Sequence, residues 1–168
     1  QQDLVAEFFF KNSKGYFVEF GATNGIDLSN SYILEKELGW DGLLSEPARS
    51  WKHSLLSNRS AHKDFRAVAG VTGEIRNFTE ATQGEYSTFT SQSNQGIHQN
   101  IRSNSESYDV ETVSLFDLLQ SANSPKHIQV LSIDTEGSEY EILSTFPFSE
   151  YEIDLIFVEH NHTTYEKL

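Results

Sequence analysis

An apolar segment that ends in a glycine-containing turn is the part of this sequence with the clearest chemical meaning. Residues 17–25 read FVEFGATNG, with an acid inside the apolar run and glycines at positions 21 and 25. Glycine lets the backbone adopt positive φ or approach a ligand closely. A dinucleotide-binding turn needs the spacing G-x-G-x-x-G before a helix, whereas this turn carries a single G-x-x-x-G. The spacing therefore favours a nucleoside cofactor without phosphate, S-adenosylmethionine.

A second acid ends the next apolar run, where it could contact the same ligand. Glu46 follows residues 43–45 and precedes Pro47. A carboxylate there can accept hydrogen bonds from both hydroxyls of a ribose, and its spacing from Gly21 supports that role. The alternative is an acid stabilised by the dipole of the helix beside Pro47. Glu19 lies inside the first apolar run, where an unpaired charge is costly, so we expect it to face the ligand rather than a neighbouring amide.

Strands and helices alternate in the first part of the chain. Apolar residues at helical spacing predict a short helix within residues 4–9, before the first strand. A helix over residues 31–38 follows that strand, with Gly39 as its stop. The strand at 40–45 then leads into a helix that begins after Pro47. The sequence thus predicts two successive strand-to-helix units.

The middle of the chain has a weaker periodicity. Residues 65–71 predict a third short strand, and the polar residues 72–108 predict hairpin strands and loops. Ser114 and Asp117 then form a start resembling a capping box, which predicts a new helix.

The last part of the chain supplies two more strands, at 128–133 and 155–158, with a helix after Gly137 between them. Alternating strands and helices imply a mainly parallel sheet with helices on both faces, so we predict a Rossmann-like, doubly wound α/β fold. In such sheets ligands bind beyond the carboxyl ends of the strands. The strand ends that we expect to converge on one crevice carry Gly21, Glu46, Asp134 and Glu159.

Length and composition limit the possible partners. The chain has 168 residues, which fits one domain over residues 1–168. It carries 25 acids against 12 bases, and the resulting charge of −13 disfavours nucleic acid and anionic membrane surfaces. No stretch approaches the roughly 20 apolar residues of a membrane span, and the start lacks a signal pattern, so we expect a soluble, cytoplasmic protein without a membrane partner. The absence of cysteine excludes disulfides and thiolate ligands.

Several short motifs, in this order, resemble those of the FkbM-type methyltransferases, a branch of the S-adenosylmethionine-dependent class. The resemblance spans most of the chain. The motifs are FVEFGA at 17–22 with Gly25, LSNS at 28–31, LE at 34–35, GWDGLL at 39–44, EP at 46–47 and IDTEGSE at 133–139.

The resemblance implies a class I methyltransferase fold and methyl transfer to a hydroxyl oxygen of a small molecule, often a sugar or a secondary metabolite. It implies that the loop at 21–25 holds the amino-acid end of the cofactor, that Glu46 holds the ribose, and that Asp134 lies near the sulfonium. A complete sheet of this class adds a helix and two strands after the fifth, so we expect a C-terminally truncated chain or a reduced fold. The predicted cofactor-binding residues are Glu19, Gly21, Ala22, Thr23, Asn24, Gly25, Ser29, Asn30, Glu46, Pro47 and Asp134.

A hydroxyl acceptor also needs a group that takes its proton, since the protein otherwise aligns the reactants and excludes water. The predicted catalytic residues are Asp134 first, Glu136 second, and His160, because an ordinary histidine titrates near neutral pH. His160 could equally be a structural histidine at a strand end. Glu139 lies in the first turn of a predicted helix, where the helix dipole explains an acid as well as catalysis does.

A divalent metal ion is an alternative means of activating the acceptor hydroxyl. Asp134, Glu136, His160 and His162 offer oxygen and nitrogen ligands that could hold magnesium beside an acceptor hydroxyl. Their spacing matches no recognised metal signature. We therefore predict no metal site and treat His162 as a solvated polar residue.

The sequence is also compatible with two other functions. A noncatalytic, methyltransferase-like binding module is the main alternative, and an oxidoreductase on the same architecture ranks third. A hydrolase is disfavoured because the sequence shows no arrangement of serine, histidine and acid with a nucleophile elbow.

Overall fold

The computed structural model describes residues 2–10, 13–81, 87–92 and 105–159. Helices and strands alternate in the first and last parts of the chain, as the sequence predicts, and five strands follow one another without an α-helix in between. In chain order the elements are α1 (Gln2–Phe10), β1 (Tyr16–Phe20), α2 (Tyr32–Lys36), β2 (Asp41–Ser45), α3 (Lys52–Asn58), β3 (His62–Asp64), β4 (Ala67–Ala69), β5 (Ile75–Ala81), β6 (Thr88–Phe89), a 3₁₀ turn (Thr90–Gln92), β7 (Ser105–Ser114), α4 (Leu115–Ser121), β8 (His127–Ile133), α5 (Glu139–Thr145) and β9 (Glu152–Val158).

A five-stranded parallel sheet forms the centre of the fold. Its strand order is β3-β2-β1-β8-β9, and every neighbouring pair is parallel. The register aligns Phe20 of β1 with Ser45 of β2 on one side and with Ile133 of β8 on the other. Because the strands end level with one another, the residues that follow them meet at one edge of the sheet. The predicted α/β fold with a mainly parallel sheet is confirmed.

Helices cover both faces of this sheet. Successive strand residues point to opposite faces, so they pack against different helices. Phe17 packs in a buried cluster with residues of α1, α2 and α3, whereas Val18 packs in a second cluster with residues of α4 and α5. The two clusters form the core. None of the helices within the described ranges is long and apolar enough to cross a membrane.

A smaller four-stranded sheet, in the order β4-β7-β5-β6, packs beside the parallel sheet. Strands β5 and β7 form a long antiparallel pair from Ile75↔Glu111 to Ala81↔Ser105, and β4 joins β7 in parallel. Phe78 and Phe89, on β5 and β6, pack against Ala48, which follows β2. The hairpin strands predicted for residues 72–108 are present in the described part of that range.

The short strand predicted at residues 65–71 is present as β4 (Ala67–Ala69), but it is shorter and belongs to the smaller sheet. The chain turns between β3 and β4, so the neighbour of β2 in the parallel sheet is the preceding strand β3, which the sequence did not predict. The Asp64 carboxylate accepts hydrogen bonds from the amide and the guanidinium of Arg66, which fix this turn. The predicted helix start at Ser114 is confirmed, because its hydroxyl accepts a hydrogen bond from the Asp117 amide at 3.1 Å. The helix predicted over residues 31–38 is shorter, since α2 ends at Lys36, and Gly39 has a φ of +66° three residues later.

Candidate cofactor and active site

A cleft lies at the carboxyl ends of β1, β2 and β8. The Gly21 amide donates to the Ser45 carbonyl at 3.1 Å, which joins the ends of β1 and β2 at its floor. The cleft holds about 640 Å³ of empty space, including its open mouth. Its lining residues are Phe20, Gly21, Thr23, Leu28, Ser45, Glu46, Pro47, Ala67, Val68, Phe78, Ser87, Phe89, Asp134, Thr135, Glu136 and Ser138.

Glu46 is buried at this cleft and held by two backbone amides. Its Oε2 accepts from the Thr23 amide and its Oε1 from the Ala48 amide, each at 2.9 Å. Burial, with smaller contributions from the nearby Glu80 and Glu19 carboxylates, raises the pKa of Glu46 to about 7 against the lowering effect of those amides. A carboxylate has about four lone-pair positions, so each oxygen of Glu46 can accept one more hydrogen bond. The group can therefore bind two neighbouring hydroxyls.

Gly21 and Asp134 approach each other at the floor of the cleft. Gly21 has a φ of +76°, and a Cβ at this position would lie 2.1 Å from the Asp134 carbonyl oxygen. No larger side chain fits without moving the turn after β8. The glycine at position 21 therefore lets two strand-end turns come together.

Asp134, Glu136 and Glu159 form an acidic group at the same edge. Their carboxylate oxygens lie within 4.8 Å of one another. The pKa of Asp134 is raised, chiefly by burial. Its hydrogen bond with Glu159 and the negative charges of Glu159 and Glu136 raise this pKa further. Such a group can take up a proton or balance a cation, and three carboxylate oxygens could hold a hard divalent ion.

The loop that carries Glu136 is fixed by the neighbouring elements. The Thr88 hydroxyl donates to the Glu136 carbonyl at 2.8 Å, which attaches β6 to this loop. The Glu139 Oε1 accepts from the amides of Thr135 and Gly137 at 2.9 and 3.0 Å. Glu139 therefore shapes the loop from the first turn of α5.

Glu19 does not line the cleft. Its carboxylate accepts from the Ser29 hydroxyl at 2.9 Å and the Asn30 amide at 2.6 Å, and also from the Ser31 hydroxyl. Burial raises the pKa of Glu19 against these hydrogen bonds and the charge of Arg59. The acid inside β1 thus binds the loop that precedes α2.

The other predicted site residues divide between the cleft and its supporting loop. Thr23 and Pro47 line the cleft, and Ala22 is buried in the core cluster beside α2 and α3. The Asn24 side chain accepts from the Ile26 and Asp27 amides, both at 2.9 Å, and so closes the turn. Gly25, Ser29 and Asn30 lie in this supporting loop. His160 and His162 lie outside the described residues.

Four residues at this edge of the sheet were not predicted from the sequence as site residues. Phe78 and Phe89 line the cleft from the smaller sheet, in a range whose periodicity gave no strand boundaries. Glu159 was recognised as a strand end but was given no chemical role. Leu28 also lines the cleft, although it is 76% exposed and has a φ of +62°. In the sequence, the position of Leu28 at the start of the LSNS motif is the signal that indicates a role at the site.

Comparison with known families identifies the class of protein. The family model described as the methyltransferase FkbM domain matches residues 19–168. The match covers most of the sequence, so the chain belongs to the FkbM methyltransferase family. Comparison with curated proteins gives no significant match, and neither does comparison with solved structures.

Proposed function

We propose that this protein is an S-adenosylmethionine-dependent methyltransferase that methylates a hydroxyl oxygen of a sugar or secondary metabolite. The observation that carries the proposal is the position of Glu46, a buried carboxylate at the cleft with one accepting position left on each oxygen. A ribose presents two adjacent hydroxyls to such a group. The family match supports methyl transfer as the reaction.

The residues that line the cleft support the other cofactor contacts of this proposal. Glu46 would hold the ribose, with Thr23 and Pro47 beside it, and the loop at 21–25 would hold the amino-acid end. Leu28 offers an exposed apolar side chain at the mouth, where it could pack on the ligand. The strand order and the helices on both faces support a Rossmann-like, class I methyltransferase fold.

The charge of the cleft supports a cationic ligand. Among the described residues that line it, Glu46, Asp134 and Glu136 are acidic and none is lysine, arginine or histidine. Opposite charges attract strongly where water is scarce. When bound, S-adenosylmethionine supplies an electrophilic methyl group on a positively charged sulfur, which this environment would stabilise.

Asp134 is the proposed proton acceptor, with Glu136 and Glu159 as its neighbours. The raised pKa keeps a proton on Asp134 in the free protein, and the positive charge of a bound cofactor would favour the ionised carboxylate that a general base requires. The acceptor hydroxyl would give its proton to the Asp134 carboxylate. Phe78 and Phe89 would help to exclude water from the reaction.

A transfer assay tests this proposal. The protein is incubated with S-adenosylmethionine carrying a labelled methyl group and a panel of monosaccharides, glycosides and hydroxylated metabolites. We expect label in one acceptor class, and a loss of about 100-fold in Asp134→Asn. Asp154→Asn is the matched control, because Asp154 is an exposed acid near the other end of β9 that pairs with His127. Equal rates for both variants would contradict the role of Asp134, and label on nitrogen alone would contradict transfer to oxygen.

A further inference from the structure

We propose that Arg59 is a positioning residue that fixes the loop at residues 21–31 for cofactor binding; this inference rests on the proposed function. Arg59 directly follows α3 and is only 3% exposed. It does not line the cleft. Its effect on the ligand would therefore pass through the loop.

The guanidinium of Arg59 binds this loop at three residues. Its Nη1 donates to the Gly25 carbonyl at 3.1 Å and to the Ser29 hydroxyl at 2.9 Å. Its Nη2 donates to the Ser31 carbonyl at 3.3 Å and to the Ser31 hydroxyl at 2.8 Å. One rigid side chain thus holds both ends of the turn between Gly25 and Ser31.

The charge of this buried group is balanced by two carboxylates. The Arg59 Nε donates to Glu35 of α2 at 2.7 Å, and the Glu19 Oε2 lies 4.0 Å from Nη1. A planar guanidinium with five donors can serve these partners together, whereas a lysine ammonium cannot match their geometry. The position therefore requires arginine rather than any cation.

The residue before Arg59 extends the same contact. Asn58 donates from Nδ2 to the Asn24 carbonyl at 2.8 Å, so neighbouring residues of α3 bind neighbouring carbonyls of the loop. The same loop donates from the Thr23 amide to Glu46. The end of α3 and the proposed ribose-binding acid therefore both hold this loop.

Gly25 shows how closely α3 and the loop pack. A Cβ at Gly25, whose φ is +80°, would lie 2.6 Å from the Arg59 Cγ and 2.8 Å from the Leu55 Cδ1. The two glycines of the G-x-x-x-G turn thus have different partners. Gly21 makes room for the turn that carries Asp134, and Gly25 makes room for Arg59.

Two measurements on Arg59→Lys, Arg59→Met and the double variant Glu19→Gln/Arg59→Met test this inference. The double variant leaves no unpaired Glu19 charge and guards against misfolding of the single variants. In the ligand-free proteins, we expect faster amide hydrogen exchange in residues 21–31 than in wild type, with β8 unchanged. In titrations with S-adenosylmethionine, we expect affinity to fall about tenfold, as it would if the loop adopted its binding-competent conformation about a tenth of the time.

Arg66→Met is the control, because Arg66 also forms an ion pair but is half-buried and contacts Asp64 instead of the loop. It should change neither measurement. A merely structural Arg59 would lower the melting temperature and leave the affinity of the folded protein unchanged, and that result would overturn the inference. Failure of wild type to bind S-adenosylmethionine would instead contradict the proposed function, while the exchange rates would still test whether Arg59 orders the loop.

Discussion

The carboxylate of Glu46 accepts a hydrogen bond from the amide of Thr23 at 2.9 Å. This contact joins the acid that ends β2 to the turn that follows β1, so the two segments expected to contact the cofactor are also bound to each other. Glu46 is buried near the Glu80 and Glu19 carboxylates. Burial, together with these two charges, raises the pKa of Glu46 to about 7. Cofactor binding, loop structure and protonation should therefore be linked at this residue.

Replacing Glu46 tests its proposed contact with the ribose. Glu46→Gln keeps the size of the side chain but replaces one accepting oxygen with a donor, so we expect S-adenosylmethionine affinity to fall by about tenfold or more. Isothermal titration of folded protein measures this loss. Glu150→Gln is the control, because Glu150 is an exposed acid that lies 3.9 Å from Lys126 and does not line the cleft. An unchanged affinity in Glu46→Gln would remove Glu46 from the site.

The pH dependence of binding should report the protonation of Glu46. Its ionised form accepts hydrogen bonds from hydroxyls, so a ligand that binds this form must displace a proton wherever the free protein is protonated. With a pKa of about 7 in the free protein, affinity should be constant above that pH and weaken by up to about tenfold per pH unit below it. The measurement is a series of titrations from about pH 5 to 8.5. The same slope in Glu46→Gln would assign the dependence to another group.

Asp134 should make the protein less stable as the pH rises. Its pKa is raised in the folded protein, so the folded state keeps this proton at pH values where the unfolded chain has lost it. The resulting contribution to stability is complete below about pH 4 and decreases as the pH rises toward the raised pKa. We therefore expect Asp134→Asn to have a higher melting temperature than wild type at about pH 8 and a similar one at about pH 4. A difference that does not change with pH would contradict the raised pKa.

Gly21 should tolerate no side chain. Gly21→Ala would place a Cβ 2.1 Å from the Asp134 carbonyl oxygen, at a φ of +76°, so we expect a loss of about 2 kcal/mol or more in the free energy of unfolding. Gly39→Ala is a matched control, because Gly39 also has a positive φ but has no atom within 4 Å of its added Cβ. That variant should lose only about 1 kcal/mol. Urea unfolding measures both values, and equal losses would show that the contact with Asp134 costs nothing.

The sequence predicts the parallel sheet and the convergence of its strand ends. It does not predict which groups each acidic side chain contacts. Apolar runs locate β1, β2 and β8, and their parallel arrangement brings Gly21, Glu46 and Asp134 to one edge. These features depend on short-range patterns and on one topological rule. That the whole chain forms one domain stays a prediction.

The contacts that the sequence does not predict are long-range. Glu19 binds a loop ten to twelve residues further along, and nothing in an apolar run with one acid says whether that acid faces a ligand or a hydroxyl. Phe78 and Phe89 reach the cleft from the smaller sheet, in a segment without clear periodicity. Arg59 follows a helix with an ordinary pattern, and only the folded chain shows it buried against the loop.

Calorimetric titration with S-adenosylmethionine and S-adenosylhomocysteine tests the central claim most directly, with a reduced nicotinamide dinucleotide as the control ligand. We predict micromolar binding of the first two compounds and none of the third. Absence of binding in a sample shown to be folded by circular dichroism would contradict the account and favour a noncatalytic module. Binding of the nicotinamide dinucleotide alone would contradict it in favour of an oxidoreductase.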